Sequence, residues 1–237
     1  MGNNTGSGPQ YFGKDLEAMS FARNYHEWIA RELQPYLGRS VAEVGAGVGS
    51  FSQLLLGSGI DSLTAYEPSQ NMFPALQAAL QGEPRASAIH GFFGEAGETE
   101  MFDSVVYVNV LEHVEDDAAE LRRMRAAVRP KGHVLIFVPA LSWLYSPLDR
   151  QVGHFRRYHR APLVRLVADA GLSVVSARYF DFFGILPWYV NFVLLKNEIG
   201  GASVSLYDRL VVPVASVLER AVTPPVGKNL LLVAQRR

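Results

Sequence analysis

The sequence predicts an α/β fold, a mostly parallel sheet with helices on both faces, and three observations carry that prediction. From Ser40 onward, short apolar runs alternate with segments of helical periodicity. Strand, helix and strand at this spacing require crossover connections, hence parallel pairing. The first run also feeds a loop with Gly45, Gly47 and Gly49, where backbone without Cβ atoms can approach a ligand closely.

The elements follow in order. Residues 1–9 are rich in Gly, Asn and Ser without a basic segment leading an apolar one, so 1–14 reads as a disordered lead-in and not as a signal peptide. Over 15–37, Leu16, Met19, Ala22, Ile29, Leu33 and Leu37 recur at helical steps, which predicts an amphipathic N-terminal helix. Runs at 41–44, 63–66, 86–89, 104–108 and 133–138 read as strands, with helices near 51–56, 69–81 and 116–128 between them. Glu67-Pro68-Ser69 opens the second of these helices, and Pro130-Lys131-Gly132 closes the third. After Pro139 come a loop, a helix over 161–170, a Gly171 stop and a strand over 172–179. Two apolar helical segments, 185–197 and 206–221, precede a closing strand over 229–234. The result is a single domain over 15–237, with a seven-stranded core in 38–180 and 226–237 and a helical insertion at 181–225.

Composition narrows the function classes. With 22 Lys plus Arg against 23 Asp plus Glu, the formal charge of -1 offers no field for a phosphate backbone, and no nucleic-acid partner is expected. No cysteine is present, which excludes disulfides, thiolate nucleophiles and Cys-ligated metals. The longest charge-free apolar stretch, 182–195, has 14 residues with Pro187 and Asn191 inside it, short of the roughly 20 that span a bilayer. No integral span and a cytoplasmic location are expected.

The loop distinguishes among ligands. A dinucleotide site asks for Gly-x-Gly-x-x-Gly, but Ser50 stands at the third glycine, and the phosphate-loop lysine pattern is absent. What remains is an acidic residue, Glu43, followed by alternating glycines. Glu67 ends the next strand 18 residues beyond Gly49, where an acid accepts both hydroxyls of a ribose.

The run EVGAGVG at 43–49, YEPS at 66–69 and FDSVVYVNVLEHVEDD at 102–117 together resemble the class I S-adenosylmethionine-dependent methyltransferases, which have a Rossmann-like fold. The resemblance covers roughly 25–138 and the closing strand. It implies S-adenosyl-L-methionine as cofactor and S-adenosyl-L-homocysteine as product. Gly45, Ala46 and Gly47, with Gly49 completing the loop, would pack on the methionine part, Glu43 near its amino group and Glu67 on the ribose. Pro68 and Met72 would flank the adenine. Phe92 and Phe93 stand where many members have Asp-Ala, so adenine recognition would rest there on apolar or backbone contact. Asn109 and Val110 match positions near the methionine carboxylate or sulfonium.

Methyl transfer to oxygen or nitrogen asks for in-line placement, exclusion of water and removal of one proton. His113 is the expected base, one helical turn after Asn109, although it also fits a packing role at a helix start. The run 149–160 holds two histidines, four arginines and two aromatics, and resembles the substrate-side loop of small-molecule methyltransferases similar to those of ubiquinone biosynthesis. His154, Arg157 and Tyr158, with Tyr25, are the candidate acceptor contacts; a solvated basic loop, or arginines paired with carboxylates, is the alternative. Glu115-Asp116-Asp117 is expected to face solvent, and Pro139-Ala140 lacks the Asp-Asn pair of metal-dependent catechol methyltransferases, so no metal is expected. The aromatic insertion reads as a lid or homodimer surface ahead of membrane contact. The expected enzyme is a methyltransferase acting on a small hydroxylated acceptor, aromatic, glycosyl or polyketide-like. A non-catalytic cofactor-binding subunit and a nicotinamide-dependent oxidoreductase are the alternatives.

Overall fold

The computed structural model describes residues 22–197 and 200–237, so the expected lead-in at 1–14 and the first part of the expected 15–37 helix lie outside the described residues. Helix α1 spans Arg23–Leu33 and gives way to a single 3-10 turn over Gln34–Tyr36. It stops short of the expected residue 37 because Pro35 brings no amide donor to continue the helical hydrogen bonds.

Strands β1 (Ser40–Val44), β2 (Ser62–Glu67), β3 (Ala86–His90) and β4 (Phe102–Val108) alternate with α2 (Ser50–Gly57) and α3 (Phe73–Ala79). Helix α4 (Asp117–Ala127) runs into β5 (Val128–Pro139), followed by α5 (Pro147–Gln151), α6 (Arg160–Asp169) and β6 (Leu172–Phe180). The insertion holds α7 (Ile185–Trp188), which continues as a π-helical turn over Tyr189–Leu194, then α8 (Gly201–Leu210) and α9 (Val212–Ala221). Strand β7 (Asn229–Arg236) closes the chain.

The segment expected as one helix over 206–221 starts at Gly201 and breaks into α8 and α9 just ahead of Pro213. Two other boundaries differ from the sequence reading for local reasons. Helix α3 starts at Phe73, not at 69, because the Ser69 amide donates to Glu67 and the Ser69 carbonyl accepts from Met72 and Phe73, which makes a turn first. Strand β5 starts at Val128, where it pairs with Phe102; Lys131 at φ 67 and Gly132 kink this strand where a plain helix stop was expected.

The seven strands form one sheet in the order β3-β2-β1-β4-β5-β7-β6, parallel except for β7, which runs against both neighbours. Strand periodicity divides the core cleanly. Val134, Ile136 and Val138 of β5 and Leu230, Leu232 and Ala234 of β7 face Leu121 and Met124 of α4 and Leu163 and Val167 of α6. Leu135, Phe137, Leu231 and Val233 face the other way, onto α1, α2, α3 and α9 through Trp28, Leu33, Leu55, Leu76 and Val212. Burial of a large aliphatic or aromatic side chain contributes about 1.5–3 kcal/mol, so both faces are needed to hold a sheet this wide. Reversal of β7 brings its first residue, Asn229, beside Pro139 at the edge where the parallel strands end.

Candidate active site

At that edge lies one cavity of about 430 Å³, within the range of small-molecule sites. Its floor is the turn after β1. The amides of Gly45 and Ala46 both donate to the Tyr66 carbonyl, at 2.9 and 3.0 Å, which folds the chain back over β2. Gly45, Gly47 and Gly49 all adopt left-handed backbone, with φ of 70, 58 and 85. At Gly45 the need is also steric, since a Cβ there would lie 2.5 Å from Val110 Cγ2. Gly45, Ala46 and Gly47 line the cavity, whereas Gly49 does not; Gly49 sits at the N-terminus of α2 against Leu76 and Ala79.

Two carboxylates face this loop. Glu67 is buried and accepts the Gly47 amide at 2.7 Å and the Ser69 amide at 2.8 Å. Burial lifts its pKa, against the pull of those two amides. Glu43, also buried, accepts a hydrogen bond from the Ser52 hydroxyl, and burial pushes it up to about 8. Among the described residues neither has a cationic ion-pair partner, so the pair suits a ligand that brings hydroxyl donors and an ammonium group. Pro68, Met72 and Phe92 line the same end. Phe93, expected beside adenine, does not line it: the ring is buried edge-on against Tyr66 and Tyr107, because the chain turns after β3 and sends consecutive side chains to opposite sides.

Asn109 and Val110 line the middle of the cavity. Asn109 takes a left-handed φ of 55 and donates its amide to the Phe137 carbonyl at 2.8 Å. Only a 3-10 turn over Leu111–His113 follows, so Asn109 and His113 do not share a helix face as expected; they meet in the cavity because the chain reverses between them.

The acceptor end is a network of side chains. Asp149, fully buried in α5, receives Arg157 Nε and Nη2 at 2.9 and 3.1 Å, the Ser146 amide at 2.8 Å and His154 Nδ1 at 2.8 Å. Burial alone would raise its pKa, but His154 and Arg157 together hold it below the usual carboxylate value. Arg157 is stacked on Trp188, 4.6 Å from the ring centroid. His154 therefore stands upright on Asp149, its ring edge-on to His113 at 4.6 Å. Its Nε2 lies 3.9 Å from Glu112 Oε1. Glu112 is fully buried without a hydrogen-bond partner on either carboxylate oxygen, and burial pushes its pKa up to about 7 despite His154. Burial, reinforced by His154, lowers His113 to about 4. An imidazole lowered that far is a weak proton acceptor at neutral pH, which bears against His113 as the expected base.

Glu112, His113 and His154 offer one donor atom each within 4.8 Å of one another, a potential ligand set in a chain expected to hold no metal. The expectation for Glu115-Asp116-Asp117 also changes. Asp116 caps α4 by accepting the Ala119 amide, but Asp117 turns inward to Arg156 at 2.6 Å and to the Tyr158 hydroxyl at 3.0 Å. Tyr158 is buried in the core, its hydroxyl donating to Leu111 O and Asp117, and is not among the cavity residues; its expected role as an acceptor contact is not supported. Tyr25, His154 and Arg157 do line the cavity, and the Tyr25 hydroxyl donates to Asn229 Oδ1 at 3.0 Å. Two of the four arginines of this loop, Arg156 and Arg157, are thus engaged in carboxylate pairs.

Sequence reasoning missed Glu112, Asp149, Trp188, Lys228 and Asn229. Glu112 adjoins the singled-out His113, and a buried carboxylate beside a histidine was the available signal. Lys228 and Asn229 follow from the reversed β7, whose start must lie at the ligand edge.

Residues 18–177 match the methyltransferase domain family. A ubiquinone biosynthesis O-methyltransferase of Azorhizobium caulinodans is 31% identical over 127 residues, 53% of this chain and 47% of that protein. A tRNA U34 carboxymethyltransferase of Ruthia magnifica is 25% identical over 134 residues, 54% of this chain and 42% of that one. The chain thus matches less than half the length of either curated relative. Among solved structures, a complex of the Haloferax volcanii Trm112 methyltransferase activator with a methyltransferase superposes with a TM-score of 0.64 at 18% identity, covering 94% of both chains, a likeness of fold. A glycine loop closed by left-handed turns, two buried carboxylates facing it and a match across the catalytic sheet converge: this chain belongs to the S-adenosylmethionine-dependent methyltransferases.

Proposed function

We propose that the chain methylates a hydroxyl group of a small acceptor, aromatic, glycosyl or polyketide-like, seated between the glycine loop and the Glu112, His113 and His154 cluster. The observation that carries this reading is that a carboxylate titrating near neutrality and two imidazoles open into the same cavity as the cofactor loop. When bound, S-adenosylmethionine supplies a methyl group on an already activated sulfonium. The chain's part is to bind, align, keep water out and take a proton.

Glu43 would hold the ammonium group of the cofactor and Glu67 its ribose hydroxyls, with Pro68, Met72 and Phe92 about the adenine. A base works best with a pKa near the working pH, and Glu112 at about 7 meets that condition while His113 at about 4 does not. His113, neutral at pH 7, serves as a relay that accepts the acceptor's hydrogen bond, and the base is the cluster. Asp149 and Arg157 act through His154 as positioning residues. Trp188, packed on Arg157 and donating its indole N–H to the Leu144 carbonyl at 3.1 Å, closes the wall against water. The Arg157 guanidinium already lowers the Glu112 pKa, and a second cation beside it is disfavoured, so the reaction is read as metal-independent. The near-zero net charge favours a small molecule over a nucleic acid.

The test is a mass-spectrometric screen of catechols, phenols, glycosides and transfer RNA with the purified chain and S-adenosylmethionine. Expected are an O-methylated small product with stoichiometric S-adenosylhomocysteine, unmodified RNA and full activity in chelator. Absence of calorimetric binding of S-adenosylhomocysteine at millimolar ligand would sink the reading; loss of activity in chelator would assign the cluster to a metal.

A further inference from the structure

Helices α8 and α9 bury acids and leave apolar residues in solvent, although Val212 and Ala215 of α9 also enter the core. In α9 the inward positions include Ser216 and Glu219, while Val214, Val217 and Leu218 point to solvent, Val217 with 65% of its surface exposed. In α8 Asp208 is buried, while Leu206 and Leu210 are 61% and 64% exposed. Each buried acid has a task inside the protein. Asp208 accepts the amides of Asn24 and Tyr25 at the start of α1, and Glu219 accepts those of Asp181 and Phe182. The usual amphipathic helix hides its apolar stripe; this pair hides one apolar face and displays another. Between them the axis bends by 45°.

The charges sort in the same way. Among the described residues of 181–222, the acids Asp181, Asp208 and Glu219 are all buried, and the cations Lys196, Arg209 and Arg220 are all exposed. An apolar face whose exposed charges, among the described residues of the insertion, are cations matches the chemistry of an anionic lipid surface, aliphatic chains beneath a layer of phosphates. A second copy of the chain fits less well, because a two-fold contact is self-complementary and would set Arg209 and Arg220 against the same cations. Among the described residues no single helix is long and apolar enough to cross a bilayer, and α8 and α9 reach that length and apolarity only as a pair bent by 45°.

We propose that α8 and α9 dock this chain on an anionic membrane surface, with Leu206, Leu210, Val214, Val217 and Leu218 immersed and Arg209 and Arg220 at the phosphates. The docked face is joined to the cavity wall. Tyr207 of α8 donates to Asp181, whose other oxygen lies 2.9 Å from Lys228 Nζ, and Lys228 lines the cavity. The inference does not depend on the identity of the acceptor.

Vesicle flotation with the full chain tests it, using phosphatidylcholine alone and phosphatidylcholine with phosphatidylglycerol. The wild type is expected to float with the phosphatidylglycerol vesicles and to be released by salt. The Leu206→Ser/Leu210→Ser and Val217→Ser/Leu218→Ser pairs should each lower partitioning by about tenfold or more. Arg209→Gln and Arg220→Gln should each lower it about fivefold. In every variant, S-adenosylhomocysteine affinity unchanged within twofold shows that the fold and the cofactor site survive. A wild type that stays unbound with phosphatidylglycerol present overturns the proposal. So does a sedimentation-equilibrium dimer that Leu206→Ser/Leu210→Ser converts to monomer, since the face then belongs to a second copy.

Discussion

The two ends of the cavity are built by different means. At the cofactor end, recognition rests on backbone: three left-handed glycines, amides aimed at Tyr66 O and Glu67, and a turn so tight that Val110 leaves no room for a Cβ at Gly45. At the acceptor end, side chains from three separate stretches interlock: Glu112 and His113 from the turn after β4, Asp149 from α5, and His154 and Arg157 from the loop that follows. A backbone device fixes residue types at fixed spacing. A side-chain network needs only that its members meet, so its parts can be replaced one by one. The comparison teaches that the first end is set for a constant ligand and the second is free to follow its acceptor.

That contrast can be broken or sharpened by substitution. The largest effect is expected from Glu112→Gln, which removes the proton acceptor and should lower kcat by about 10²–10⁴ while cofactor affinity stays within a few-fold. In the wild type, kcat/KM should fall as the pH drops through about 7, because protonation of the raised Glu112 carboxyl removes its capacity as base. A profile flat from pH 5 to 9 would return the role to another group. His113→Ala should lower turnover with cofactor affinity likewise unchanged; equal loss of both would assign His113 to cofactor binding.

Next comes Asp149→Asn, which leaves Arg157 buried and unpaired; urea unfolding should show a loss of about 3–5 kcal/mol. If instead only kcat changes, the network is catalytic and not structural. Gly45→Ala forces a left-handed φ and a clash with Val110, and calorimetry should show S-adenosylhomocysteine affinity reduced by roughly 10–100-fold, equivalent to about 1–3 kcal/mol. The smallest effect belongs to Tyr158→Phe. Its hydroxyl bonds to Leu111 and Asp117 away from the cavity, so stability should drop by about 1 kcal/mol with kcat unchanged.

The same contrast explains what was legible in the sequence. The strands, the glycine loop and Glu67 could be read because apolar periodicity and the requirement for left-handed backbone are local, and each leaves a pattern within about ten residues. The start of β5 was misplaced because Lys131 and Gly132 resemble a helix stop when the pairing of Phe102 with Val128 is out of sight. Phe93 was assigned to the site by its place in the family resemblance and Tyr158 with the polar run 149–160; the side to which each ring turned was decided by tertiary packing. Glu112 went unnoticed although it adjoins His113, because its burial beside His154, some forty residues away, is set by tertiary packing. The exposed apolar face of α8 and α9 was hidden for a similar reason: apolar content could be counted, but which stripe faced inward and which faced solvent depended on Asp208 and Glu219 finding amides elsewhere.

The Asp208 contact has one more consequence, for the order in which the molecule assembles. Helix α1 carries Tyr25 and His26 into the cavity wall, yet its first amides are satisfied by a residue 184 positions later in the chain. As a ribosome releases the chain from the N-terminus, the glycine loop and β1 to β4 emerge early, while that wall of the pocket waits for α8. Cofactor affinity should therefore be acquired late in synthesis, once the insertion has clamped α1 in place and β7 has joined β6 to the sheet.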